Sequence, residues 1–148
     1  MNPYTREATG AMVAGILLVL LAFALAVVVA ASKADGAEPR TLLGAIRQVE
    51  SSGRANPPPG DGGRSQGPLQ CGRAAWQDGC EYGGVDWPYE LVHSLPHVSK
   101  VFVWYTSRYG AKTDEERARC WNSGPRWRAK YGKTERYWNK VKAAAKGG

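Results

Sequence analysis

From Ala11 to Ser32 the chain runs 22 residues without a charge. At about 1.5 Å per helical residue such a run reaches about 33 Å, enough to cross a hydrocarbon core of roughly 30 Å. A short polar segment with Arg6 (residues 1–10) precedes it, and Ala30, Ala31 and Ala34 near its end are small enough for a signal peptidase. A cleaved secretory core has about 7–15 apolar residues, so the pattern favours a transmembrane anchor over a removed signal peptide. A buried core helix would show a polar face, and this run has none. Either export segment puts the chain after about residue 38 outside the cytoplasm, and contact with a membrane is expected through residues 11–32.

Beyond a polar linker (33–40) the pattern becomes amphipathic. Thr41 is placed as an N-cap, Leu42, Leu43, Ile46 and Val49 recur at helical spacing, and Ser52-Gly53 stops the helix. Glu50 therefore falls in its last turn beside the apolar stripe. Residues 53–69, with PPPGDGG at the centre, predict a loop or a small irregular sheet. A short helix is expected over about Gly72–Asp78, and Asp86-Trp87-Pro88 predicts another helix start. Val98, Val101, Phe102, Tyr105 and Tyr109 then share one face of a helix that Gly110 ends. Thr113 and Glu116 form a capping box for a further helix terminated by Ser123-Gly124-Pro125. A last helix beginning near Thr134 carries Tyr137, Trp138 and Val141. The expected fold is α+β and mostly helical with a small sheet, in one domain spanning 41–146, since about 110 residues support one core.

The charge is uneven. The chain carries a formal +7, but residues 117–148 hold +9, residues 38–116 hold −2 and the first 37 are neutral. A basic end predicts a polyanionic partner. No RNA- or DNA-binding motif accompanies it, so nucleic acid is not the expected partner.

Export also governs how Cys71, Cys80 and Cys120 are read, because disulfides persist outside the reducing cytosol. Three cysteines allow one pair, and all three pairings stay open. There is no CxxC and no Cys/His cluster, and Pro96 interrupts the helix that would align His93 with His97. No metal and no cofactor is expected.

Among the polar residues, Glu50 has the setting of a catalytic acid. A carboxyl beside apolar side chains at a helix C-terminus feels desolvation and a negative dipole end, and both favour its protonated form. Glycoside hydrolysis needs such a group to protonate the leaving oxygen, and usually a second carboxylate across the sugar. Asp61, eleven residues on in the glycine-rich loop, is a candidate for the second.

Three ordered stretches add to this: Glu50-Ser51-Ser52-Gly53, Gly67-Pro68-Leu69-Gln70 and Cys120-Trp121-Asn122-Ser123-Gly124-Pro125. Together they resemble the lysozyme-like superfamily. With Asp61, Trp76-Gln77-Asp78, Asp86-Trp87, Tyr105-Thr106-Ser107-Arg108-Tyr109, Arg119 and the closing Tyr137-Trp138-Asn139-Lys140-Val141, residues 41 to 142 look like the invertebrate-type lysozymes, the destabilase family. The resemblance implies a lysozyme-like fold and hydrolysis of the β-1,4 bond between N-acetylmuramic acid and N-acetylglucosamine in peptidoglycan glycan strands. Glu50 would be the general acid and Asp61 the nucleophile or ion stabiliser. Gly67 and Gln70 would shape the cleft floor, Asn122 would bond an N-acetyl or hydroxyl group with Gly124 beside it, and Trp121 would stack on a sugar. Ser65 and Tyr105 are lesser candidates.

Rival readings use the same residues differently. A lytic transglycosylase would use Glu50 alone as acid and then base, and a peptidoglycan-binding module would need no Glu50. An isopeptidase, the family's side activity, would need a serine such as Ser51, Ser65 or Ser107 paired with a lysine, and no lysine is placed beside any of them. The sequence leaves the oligomeric state open.

Overall fold

The computed structural model describes residues 41–147. The expected export segment, the linker at 33–40 and any membrane contact through 11–32 lie outside them. Five α-helices carry most of the described chain: α1 (Leu42–Ser51), α2 (Arg73–Gly83), α3 (Leu95–Arg108), α4 (Asp114–Ser123) and α5 (Glu135–Ala145). Between α1 and α2 lies a two-stranded antiparallel sheet of β1 (Ser65–Gln66) and β2 (Cys71–Gly72), with Ser65 opposite Gly72 and Gln66 opposite Cys71. The architecture is thus mostly helical α+β.

Local signals account for most element ends. Thr41 Oγ1 accepts from the Gly44 N–H (3.1 Å), as an N-cap should. Both halves of the Thr113–Glu116 capping box form at α4. Gly124 closes α4 at φ +82° and Gly110 follows α3 at φ +70°. Pro96 sits in the first turn of α3, where its missing N–H costs nothing, so it opens that helix rather than interrupting one. His97 shares a hydrogen bond with Ser94 (2.7 Å) and stands edge-on to Trp87, while His93 ends the preceding 3₁₀ turn (Tyr89–His93).

Two elements differ from expectation. α2 continues five residues past Asp78, through Gly79 and Gly83, because those glycines let it lie against α3. A Cβ on Gly79 would stand 2.8 Å from Val101 Cγ1, and one on Gly83 would meet the Trp104 ring at 2.5 Å. Close packing there outweighs the poor helix propensity of glycine. The second difference is a 3₁₀ segment, Trp127–Thr134, whose weak amphipathic pattern gave no sequence signal.

α2 packs along α3 and α1 along α5. The main core holds Ile46, Leu69, Trp76, Val92, Val98, Val101, Phe102 and Val141, all essentially without solvent contact. Each such side chain contributes about 1.5–3 kcal/mol by leaving water. A smaller cluster of Tyr105, Ala111, Cys120 and Trp127 fills the space beneath α4. Arg119, 1% exposed, joins α4 to α5 by donating to Glu115, Glu135, Thr134 and the Tyr131 carbonyl. Full pairing is what permits a buried guanidinium.

The expectation of one disulfide is corrected: Cys71, Cys80 and Cys120 are all free and buried. Each packs as a small apolar side chain, and burial pushes the Cys120 thiol up to about 12.

Candidate active site

α1 delivers Glu50. Its stripe of Leu42, Ala45, Ile46 and Val49 is packed into the core, which fixes the helix against α5. Ser52, at φ +53°, ends it, its N–H donating to the Gln48 carbonyl and the Gly53 N–H to the Arg47 carbonyl. Glu50 lies in that last turn, half-buried, and Tyr137 Oη of α5 donates to its Oε1 at 2.7 Å. Burial raises the Glu50 carboxyl above the usual carboxylate range, and the nearby charge of Asp61 raises it further. The Tyr137 hydrogen bond and Lys140 pull the other way without cancelling the effect. Tyr137 is itself raised, first by burial and then by Glu50, so it stays a donor.

The second wall is the loop that leads into the hairpin. Gly60 bridges to Ser65, and Asp61 opens a 3₁₀ turn at φ +50°, a left-handed conformation that Asp tolerates better than most residues. Ser65 Oγ donates to Asp61 Oδ2 (3.1 Å), and Arg64 Nε donates to the Asp61 carbonyl (2.9 Å). Gln70, at φ +49°, donates from Nε2 to the carbonyls of Gly67 (3.1 Å) and Pro58 (3.3 Å). Its Oε1 would lie 2.3 Å from any Cβ on Gly60, so a side chain at position 60 would have to displace the Gln70 amide.

Between these walls is a cleft of about 400 Å³ lined by Glu50, Asp61, Ser65, Gln70, Trp121 and Asn122, with Gly60 and Gly72 completing it. Of the eight site residues expected from sequence, these six are together. Gly67 and Gly124 are not on the cleft walls. Gly67 is buried at φ +74° with the Val92 carbonyl 2.2 Å from where its Cβ would be, so it seats the hairpin turn on the Tyr89–His93 segment. Gly124 ends α4, its N–H on the Cys120 carbonyl (2.8 Å). Tyr105 belongs to the core rather than the cleft.

Trp121 reaches the cleft from a fixed position. Its Nε1 donates to the Leu69 carbonyl (3.0 Å), and its ring packs on Phe102 and Tyr105 at 5.1 and 5.8 Å. Asn122 beside it is exposed. Ser51, by contrast, is buried with its hydroxyl donating to the Arg47 and Arg54 carbonyls, which leaves it poorly placed as a nucleophile.

Tyr137, Gly60 and Gly72 are the site residues that sequence reasoning missed. Tyr137 lies four residues before the buried Val141 on α5, a spacing that signals a core-facing position but not its partner 87 residues away. Gly60 had the Gly/Pro-rich loop as its only signal. Comparison of the chain with family models, with curated proteins and with solved structures finds no match.

Proposed function

We propose that this chain is an exported muramidase of the invertebrate-lysozyme type, hydrolysing the β-1,4 bond between N-acetylmuramic acid and N-acetylglucosamine. The observation that carries the reading is Glu50: a half-buried carboxyl with a raised pKa, in a cleft that also holds Asp61. In this reading Glu50 protonates the leaving glycosidic oxygen, and Asp61 supports the positive charge that develops on the sugar or attacks it. Ser65 and Arg64 hold Asp61 for this role, one through its carboxylate and the other through its carbonyl. Asn122 offers its amide, and Gln70 its Oε1, to the sugar's substituents. The lysozyme-like fold, the membrane anchor at 11–32 and attraction of the basic C-terminal segment to the anionic wall belong to the same proposal.

Glu50→Gln in the full chain is expected to lower clearing of purified peptidoglycan by about 10²–10⁴-fold, the usual worth of a general acid. Undiminished clearing would overturn the assignment. Asp61→Asn keeps the left-handed backbone accessible while removing the charge. If its residual products, like those of the parent, are reducing sugars, hydrolysis stands; anhydro-muramic products from the parent would mean a transglycosylase working through Glu50 alone.

A further inference from the structure

A second cavity, about 480 Å³, lies against the β1–β2 hairpin. Arg64, Ser65, Gln66, Arg73, Ala74 and Tyr89 line it, and it shares Ser65 and Gly72 with the Glu50 cleft. The two hollows therefore adjoin at the hairpin, and their walls are of opposite electrostatic character. One is walled by Glu50 and Asp61. The other has two arginines and no carboxylate on its walls.

Neither arginine has its charge used up within the fold. Arg108 and Arg119 are both ion-paired to glutamates, whereas Arg64 and Arg73 have no carboxylate partner among the described residues. Arg64 spends only Nε, on the Asp61 carbonyl, which leaves its terminal nitrogens available. Arg73 lies over the Tyr89 ring at 4.3 Å. That ring is a fixed base, since Tyr89 is buried and its hydroxyl donates to the Cys71 carbonyl at 2.6 Å. Arg73 is also the first residue of α2, whose first turn contains no acid, so its charge sits unfavourably at the helix's positive end. A cation held there, oriented by an aromatic ring and unpaired, fits a ligand-binding role better than a stabilising one. A planar guanidinium pair recognises carboxylate or phosphate oxygens through forked hydrogen bonds.

We propose that the pocket formed by Arg64, Arg73 and Tyr89 is an oxyanion site that takes an anionic group carried by the glycan strand whose uncharged sugars lie in the neighbouring cleft. This rests on the muramidase reading for the identity of the strand. The acidic cleft repels the anion and the arginine pocket holds it, so together they set which sugar lies at Glu50. The oxyanion is either a peptide-stem carboxylate or a phosphate of an attached wall polymer.

The test measures binding rather than cleavage. The full chain in mild detergent, carrying Glu50→Gln so that strands stay whole, is sedimented with insoluble peptidoglycan, with and without Arg73→Gln. Arg73→Gln should weaken binding about tenfold, the effect of losing one charge-assisted contact, while leaving the affinity for neutral chitin oligosaccharides unchanged. Arg73→Lys should recover only part of the loss, because it keeps the charge but not the fork. If acid extraction of wall phosphate lowers the parent's binding to the Arg73→Gln level, the ligand is phosphate; if the difference survives extraction, it is the stem carboxylate. Equal binding by parent and variant on both wall preparations, equal loss on chitin oligosaccharides, or no binding by the parent overturns the proposal. A melting curve checks that the variant is folded, and the partial loss with Arg73→Lys carries the test should Arg73→Gln not fold. Loss of the muramidase reading would show separately, as lysis by the Glu50→Gln protein.

Discussion

The cleft wall and the helical pair α2–α3 are built on opposite terms. Ser52, Asp61 and Gln70 are the non-glycine residues with positive φ among the described residues, and all three border the Glu50 cleft or its continuation toward Pro57–Pro59. Each such conformation costs about 1–3 kcal/mol. In α2–α3 the tight places are instead occupied by Gly79 and Gly83, where no side chain has to give way. The helical half is relaxed and close-packed, and further tied by Tyr109 Oη donating to Asp78 (2.6 Å) and by Arg108 bonding Glu81 and the Asp78 carbonyl. The cleft half keeps strained backbone and a desolvated carboxyl. Stability generated in one half supports geometry in the other that would not persist alone.

This contrast makes substitutions in the two halves differ in sign. The largest effect is expected at Glu50, where Glu50→Gln removes lysis and yet does not lower stability above neutral pH. The sign follows from the raised pKa. As pH rises from the unfolded value near 4.5 toward the raised folded value, the unfolded chain loses its proton first and stability falls. Above the folded value that penalty is complete, and the amide abolishes it. Urea unfolding of parent and variant at pH 5 and pH 8 checks this, and a variant less stable than the parent at pH 8 would break the comparison.

Next is Gly79→Ala. A methyl group 2.8 Å from Val101 Cγ1 and 2.9 Å from its carbonyl overpacks the α2–α3 contact, and a loss of about 1–3 kcal/mol in urea unfolding is expected. Activity per folded molecule should be unchanged.

Ser52→Gly should act in the opposite direction. Ser52 is exposed at φ +53°, and glycine there relieves strain worth about 0.5–1 kcal/mol in unfolding experiments, after the entropy it adds to the unfolded chain. A loss of stability would show that the cleft edge is not strained.

The smallest change is expected from Tyr137→Phe. Tyr137 lowers the Glu50 pKa through its hydrogen bond, so its removal should move the alkaline limb of the activity profile to higher pH with little change on the acid plateau. A limb that stays in place would mean that the bond does not control Glu50.

What the sequence determined by itself was local. Thr41 and Ser52 bounded α1, the Thr113–Glu116 box opened α4, and the spacing of Val98, Val101, Phe102 and Tyr105 identified the buried face of α3. Caps and stripes are interactions among residues three or four apart, so residue order carries them directly. The tertiary structure alone decided which groups meet. It brought Tyr137 to Glu50 and Ser65 to Asp61, took Gly67 and Gly124 off the cleft, left three thiols unpaired and extended α2 through two glycines. Glu50 shows the division most clearly: its place at a helix end was legible in the chain, but its raised pKa depends on burial by partners distant in sequence, and desolvation exists only once the chain has folded.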